Sequence, residues 1–529
     1  MRLETAGAGQ RFTRLRHFFL SPIPILFVSF FIPFTILVVD RTYQVDPTEN
    51  HYGFGWEMGR VAASIASGHG FASPYPLPSG PTALLPPAYP YLLATIFKIF
   101  GVYSSLSAFV ALTLNCLFCA GTSVMIFRIG EMVFSRSVAA LAGWVWALNP
   151  FSLYLASNEF WDSSLTTLLL TLVVLIVFRL GPTKTLKAWC GFGVLCGLAA
   201  LTNPTALSVL LFLWTWKAWQ LGKTGAGWAR PVGVTLLGFL VTLAPWQLRN
   251  YRTFRRMMPL RSGFGLELYV GNCFERTIET YNSQDFFTWG AVLSPNALGN
   301  YRFYPRYLYA SYNRKELHDI QQQGEVSYME EKRKAAIACI ASHPKAYALL
   351  TLRRLVFTWT GALYIWPETL PAMTHFRRAV IAVYTLASIF AFFGLASLWQ
   401  RRREQAVLFA ALLILFPAVY YFTHTNFRYR YPIDPEILLL ASASVVRVLS
   451  ILRYGLDLPR TRQIVSATRA GGILKMIQDS IGVSHREIHM PSPRPPRQVL
   501  SNPGFAGSEV CRQGASTFVV LPAKTGHPT

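Results

Sequence analysis

Charge is scarce in this chain. Of its 529 residues only 14% are Asp, Glu, Lys or Arg, against 52% hydrophobic and 14% aromatic. A soluble enzyme of that size cannot stay in solution with so little charge, so the bilayer is the first hypothesis. Acidic residues are scarcer still, 25 Asp plus Glu against 49 Lys plus Arg. In a soluble protein that excess would suggest nucleic acid. Here the basic residues gather beside apolar runs, as they do at cytoplasmic membrane edges, and no nucleic-acid partner is expected. Cysteine is sparse too: there are seven, and Cys116, Cys119, Cys190 and Cys196 lack the paired spacing or His partners of a zinc site. They read as core filler. Cys273 and Cys339 fall in the one long loop assigned below to the outer side, where a disulfide between them is allowed. There is no internal repeat.

What is abundant is apolar sequence. Arg2, Arg11, Arg14 and Arg16 precede a run from Ile23 to Val39 with no convincing small-residue cleavage point before Asp40, so the run reads as an uncleaved first span. Further spans are expected at Leu106 to Ile126, Val138 to Leu155, Leu165 to Phe178, Trp189 to Leu201, Pro204 to Trp219, Val232 to Ala244, Ala379 to Trp399, Ala406 to Phe422 and Ile437 to Leu452. The expectation is an all-α polytopic membrane protein with about ten transmembrane helices and outer interfacial helices. Several runs are shorter than the ~20 residues a straight crossing needs and must extend into polar flanks. Arg128 and Arg136, Lys184 and Lys187, Lys217, Lys223 and Arg230, and Arg401 to Arg403 then fall on one side, with both termini cytoplasmic. That assignment holds if Tyr347 to Trp366, with Arg353 and Arg354, lies in the interface. The domain expected at 1–452 ends in a probable disordered cytoplasmic tail, 453–529, where Pro, Ser, Gly and basic residues take over, as in PSPRPPR at Pro491 to Arg497.

Two large outer regions, 40–101 and 250–366, are where function is expected. The first carries Asp46, Glu49 and Glu57, the last in the first turn of a helix spaced by Val61, Ala62 and Ile65. A carboxylate there is equally explained by the helix macrodipole. Glu159 and Asp162 bracket Trp161 at the outer start of a span, where ionisable groups usually face a cavity or a partner; marking the interface is the bland alternative. Asn203 reads as a helix cap before Pro204. The 250–366 region opens with a dense Arg set around Arg249 in PWQLRNYRTFRRMMPLRSGFGLELYVGN, and Ser327 with Glu330 reads as the start of a helix over Tyr328 to Ala341. THTNFRYRYPIDPE places His424, Arg428, Tyr429, Arg430 and Asp434 in a short outer loop. Forked guanidinium groups suit phosphate, although an aromatic belt with snorkelling Arg has the same look.

Together these stretches resemble the GT-C class of membrane glycosyltransferases, in particular the bacterial family related to protein O-mannosyltransferases and to the enzymes that add sugars or aminoarabinose to lipid A. The resemblance runs from about Arg11 to Arg453. It is carried by the acidic first outer loop leading into GPTALLPPAYPYLLATIFKIFG, by PWQLRNY and by RYRYPIDP. It implies a helical membrane bundle topped by outer interfacial helices, a polyprenyl-phosphate sugar donor held at the membrane lipid surface, and an acceptor that is a glycan, lipid or protein. Family members commonly use an Asp-Glu pair as general base; here Phe54 and Gly55 stand about where it would fall, leaving Glu57 and Asp46 as competitors. Asp162 resembles the family's second acidic position. The implied reaction is an inverting transfer on the outer, periplasmic side of an inner membrane, with Glu57 or Asp46 as base and Arg428, Arg430 and Arg249 stabilising the departing phosphate. Glu49, Glu159, His424 and Tyr429 are the expected substrate contacts. No cofactor is required and a divalent metal is optional. A transporter or flippase of an anionic lipid is the rival reading, and it predicts paired halves with interrupted helices that the sequence does not display. A membrane scaffold that presents the outer loop to a partner is the third.

Overall fold

The structure, a computed structural model, describes residues 18–45, 53–225, 227–258, 260–273, 310–311, 313–361 and 375–456. Among these there is no strand beyond one isolated bridge, Ala72 to Pro81. The helices are α1 (Pro22–Val39), α2 (Glu57–Ala66), α3 (Ala88–Phe100), α4 (Ser105–Val133), α5 (Arg136–Ala147), α6 (Pro150–Asn158), α7 (Ser163–Arg179), α8 (Leu186–Thr202), α9 (Ala206–Lys223), α10 (Ala229–Phe254), α11 (Phe264–Asn272), α12 (Arg314–Gln323), α13 (Glu325–Ser342), α14 (Pro344–Thr360), α15 (His375–Arg401), α16 (Arg403–Phe422), α17 (Phe427–Arg430) and α18 (Asp434–Leu456).

Short polar residues start many of them. Ser104 accepts the Ser107 N–H at 3.0 Å, Asn149 accepts that of Phe151 at 3.1 Å, and Ser21 precedes Pro22 at the first helical position. Asn203 accepts the Thr205 N–H at 3.0 Å in the turn between α8 and α9; it is the C-cap of α8, and Thr205 rather than Asn203 is the N-cap of α9. The bundle interior is apolar side chain on apolar side chain, closed in places by small residues. At Gly193 in α8 an added Cβ would lie 2.0 Å from the Thr235 carbonyl of α10, so those two backbones meet directly.

Most expected spans fall on a single helix, Val138 to Leu155 being divided between α5 and α6, but not every helix can cross alone. Among the described residues six are long and apolar enough, and up to eight if each of two bent pairs counts as one span. The pair α5 and α6 is bent by 50°, at Asn149 and Pro150, where proline cannot continue the hydrogen-bond ladder. At 17 residues each, α7 and α8 reach only about 25 Å, short of the ~30 Å hydrocarbon core. The count of ten therefore does not follow from length and apolarity. The tail from residue 457 lies outside the described residues.

Over one end of the bundle sits a layer of shorter elements, α2, α3 and α11 to α14. Here α14 turns 104° away from α13. Arg354 of α14 donates to Asn272 Oδ1 at 3.0 Å, to the Tyr421 carbonyl at 3.3 Å and to the Gly271 carbonyl, tying the layer to the end of α16. Cys273 and Cys339 form a disulfide, Cα to Cα 5.4 Å, joining the end of α11 to α13. Among the described residues the remaining cysteines are free, and Cys116, Cys119 and Cys196 are buried in the bundle. Helix α13 starts earlier than its capping pattern predicts: Gly324, not Ser327, precedes it, and Ser327 lies inside the helix. The reason is Glu325, whose carboxylate is drawn out of the helix to bind the first outer loop.

Candidate active site

The first outer region is shaped by a sharp turn. Phe54, Gly55 and Trp56 all have positive φ, 53°, 75° and 52°, a run of left-handed backbone that only surrounding packing can hold. Gly55 is obligatory there: a Cβ would sit 2.0 Å from the Phe160 carbonyl. The Phe54 ring, fully buried, lies 4.9 Å from that of Phe160. This contact brings the loop after α1 against the link between α6 and α7. It delivers Glu57, the first residue of α2, to the neighbourhood of Glu159 and Asp162. Asp46 and Glu49 lie outside the described residues.

Glu57 Oε1 accepts from the Ser311 hydroxyl at 3.1 Å. Burial pushes its carboxyl above the ordinary glutamate range, against opposing pulls from Arg60, Ser311 and Arg428. Asp162 is 5% exposed, and its Oδ2 accepts from Thr166 at 3.0 Å with Asn203 Nδ2 at 3.5 Å. Glu159 accepts from the Tyr154 hydroxyl at 3.2 Å, and burial raises its carboxyl while Arg428 lowers it. Arg428 is thus the shared counter-charge of Glu57, Glu159 and Asp162. Its guanidinium carbon lies 4.1 Å from the Trp161 ring centroid, a stacked geometry that fixes the fork. Its Nε–H has no acceptor among the described residues.

The other two arginines expected at the phosphate are taken by the protein. Arg430, 4% exposed, donates to Asp434 at 2.8 Å, to Ser388 at 3.0 Å and to the Thr358 carbonyl at 3.2 Å, and sits 4.2 Å from the Tyr384 ring centroid. An acid four residues on, in the first turn of α18, captures it inside the bundle. Arg249 donates to the carbonyls of Thr82 and Phe71, both at 2.6 Å, and lies over the rings of Phe71, Trp246 and Phe254. It clamps the Pro-rich stretch of the first outer region.

His424 and Tyr429 form a neighbouring cluster. The Tyr429 hydroxyl is 2.8 Å from His424 Nε2, its ring is stacked on Tyr420 at 4.3 Å, and His424 Nδ1 is 3.3 Å from Glu267. Glu267 also pairs with Arg261 at 2.9 Å. Burial lowers the His424 imidazole below the usual range; Arg354, Arg428 and Arg261 add to this and Glu267 opposes it. Sequence reading passed over Arg261, Glu267, Ser311 and Glu325. The first two stood in the arginine-rich stretch already singled out, whereas Ser311 and Glu325 carry no local signal. Glu325, 6% exposed, accepts from Thr82 Oγ1, from the Ala83 N–H at 2.7 Å and from Ser262 Oγ at 2.6 Å. Among the described residues no group of three His, Cys, Asp or Glu is placed to hold a metal ion.

Residues 85–246 match the family model described as dolichyl-phosphate-mannose-protein mannosyltransferase. No curated protein matches the chain. Among solved structures it is similar to the archaeal oligosaccharyltransferase AglB from Archaeoglobus fulgidus, in complex with an inhibitory peptide and a dolichol-phosphate, at 15% identity and a TM-score of 0.47 over 87% of this chain and 53% of that one. It is also similar to ArnT from Cupriavidus metallidurans bound to undecaprenyl phosphate, at 15% identity and a TM-score of 0.28 over 83% of this chain and 79% of that one. The chain thus spans about half the length of the oligosaccharyltransferase. The stretch that matches the mannosyltransferase family model, residues 85–246, lies within the helical part of the chain.

Proposed function

We propose that the chain moves a sugar from a polyprenyl-phosphate donor to an acceptor on the outer side of the membrane, with inversion at the anomeric carbon. One observation carries this reading: Arg428, set against the Trp161 ring, is a counter-charge of Glu159 and Asp162, acts in the same direction on Glu57, and keeps an Nε–H that no described residue accepts. An acid and a cation in one pocket are what attack and departure need. Glu57 takes the proton of the acceptor hydroxyl or amine as that atom bonds to the anomeric carbon. The bond from that carbon to the phosphate oxygen breaks with its electron pair on the oxygen, where Arg428 meets the growing charge. Asp162 and Glu159 hold Arg428 in place, and His424 and Tyr429 line the neighbouring wall. Arg249 and Arg430 are given no part in binding phosphate, because their donors are engaged elsewhere. The outer-face assignment is supported by the Cys273–Cys339 disulfide in the same layer, since such bonds persist in oxidising compartments.

Glu57→Gln tests the reading. Loss of general-base function is expected to lower turnover by roughly 10²- to 10⁴-fold while donor binding is kept. Asp46→Asn, made in parallel, assigns the base: if transfer persists undiminished in both variants, neither carboxylate takes the proton. A transporter would keep lipid movement in both.

A further inference from the structure

The Pro-rich stretch after α2 holds a side chain that the reaction above does not use. Tyr75 is 3% exposed, yet its hydroxyl has no hydrogen-bond partner among the described residues. Leaving a buried O–H unpaired costs about 1–3 kcal/mol, so a placement this well fixed calls for an explanation. The segment is pinned from both sides. Arg60, one turn beyond Glu57 on α2, donates to the Pro74 carbonyl at 3.1 Å. Further along, Thr82 and Ala83 are bound by Glu325, and the Ser262 N–H donates to the Ala83 carbonyl at 2.8 Å. Tyr75 is therefore enclosed between α2, α13 and the segment that leads into α11.

Its charged surroundings are Glu57, Glu267, Glu325 and Arg261. Each of these carboxylates already has a donor: Ser311 for Glu57, Arg261 for Glu267, and Thr82, Ala83 and Ser262 for Glu325. None of these carboxylates accepts from the phenol, whose O–H stays unpaired among the described residues. Arg261 Nε, nearby, also finds no acceptor among the described residues, and neither does Arg428 Nε. Surplus donors gathered beside the proposed base suit a ligand rich in acceptor oxygens.

We infer that Tyr75 reads the sugar of the donor, its phenolic O–H donating to a ring hydroxyl while Arg261 Nε serves a second oxygen on the same side. The inference rests on the proposed function, because it presupposes a sugar beside Glu57. It adds a contact that distinguishes the glycosylated carrier from the bare one. A purely structural tyrosine would make no such distinction.

The test is Tyr75→Phe, which deletes one oxygen and leaves the ring packing intact. Binding is measured with the full-length protein in nanodiscs, using undecaprenyl phosphate and undecaprenyl phosphates carrying a neutral hexose, an N-acetylhexosamine or a pentose. The expected result is a loss of about 2- to 10-fold in affinity for the best glycosylated carrier, the worth of one hydrogen bond. Affinity for bare carrier stays unchanged and the melting temperature stays equal or rises. Equal weakening toward bare and glycosylated carrier, or a fall in melting temperature, makes Tyr75 structural and overturns the inference. So does an unchanged affinity for every carrier. If the wild-type protein itself binds no carrier, bare or glycosylated, the proposed function fails first and the inference with it.

Discussion

The bundle and the outer layer are held together by different means. In the bundle, contacts such as Gly193 against Thr235 are set by shape, and buried polar side chains are mostly small hydroxyls such as Thr167 and Thr171 that bond within their own helix. In the outer layer, order comes from side chains that reach long distances along the chain to backbone carbonyls and amides, as Arg249, Glu325 and Arg354 do. The boundary between the two regimes passes through two residues of one short motif. Arg430 is held by Asp434 and Ser388 inside the bundle; Arg428 keeps an Nε–H without an acceptor among the described residues. Identical chemistry two residues apart thus differs in how fully the protein itself satisfies it.

That contrast can be broken experimentally. Arg430→Ala should be the most damaging change to stability, about 3–5 kcal/mol, because it leaves Asp434 buried without its counter-charge; unfolding in detergent reads this. A small loss there would mean that the bundle side is not an anchor. Arg428→Ala should cost less stability than Arg430→Ala, because Glu159 and Asp162 keep their Tyr154 and Thr166 donors, but should lower turnover by roughly 10²- to 10³-fold, the usual cost of removing one donor aimed at developing charge. If its melting temperature falls as far as that of Arg430→Ala, the division between the two arginines is wrong. Replacing both Cys273 and Cys339 by Ser should cost about 2–4 kcal/mol, and limited proteolysis should show cleavage confined to the outer layer. Trp161→Leu removes only the stacking on Arg428, about 0.5–2 kcal/mol, and should appear as a few-fold rise in donor KM.

The pH dependence sharpens the same comparison most gently. Glu57 must be deprotonated to act as base, and burial raises its carboxyl above the ordinary range. Activity should therefore fall as pH drops through that raised value, with the acidic limb above the ~4.3 of a free glutamate. Ser311→Ala removes a hydrogen bond that favours the charged form, so it should move the limb further upward. A limb that stays in place would exclude Glu57 as its origin.

The helices were legible because apolar run length is itself the signal, and each run from Ile23 to Leu452 lies on helix except where Val138 to Leu155 crosses the break at Asn149 and where the run from Pro204 starts two residues before α9. Which helices cross alone was not, since the bend at Asn149 and Pro150 depends on neighbours that single-sequence reading does not supply. Glu57 could be placed at a helix start from spacing alone. The fates of Arg249 and Arg430 could not: Asp434 stood in plain view four residues on, but only packing shows that both ends of the pair are buried. Glu325 and Tyr75 gave no signal, because their meaning comes from segments brought together by the fold.

The disulfide has one practical consequence. Its two sulfurs close a ring with a sequence separation of 66. A single protease cut anywhere between Cys273 and Cys339 therefore frees no fragment until a reductant is added, so comparing reduced and unreduced gels maps accessible sites within that ring.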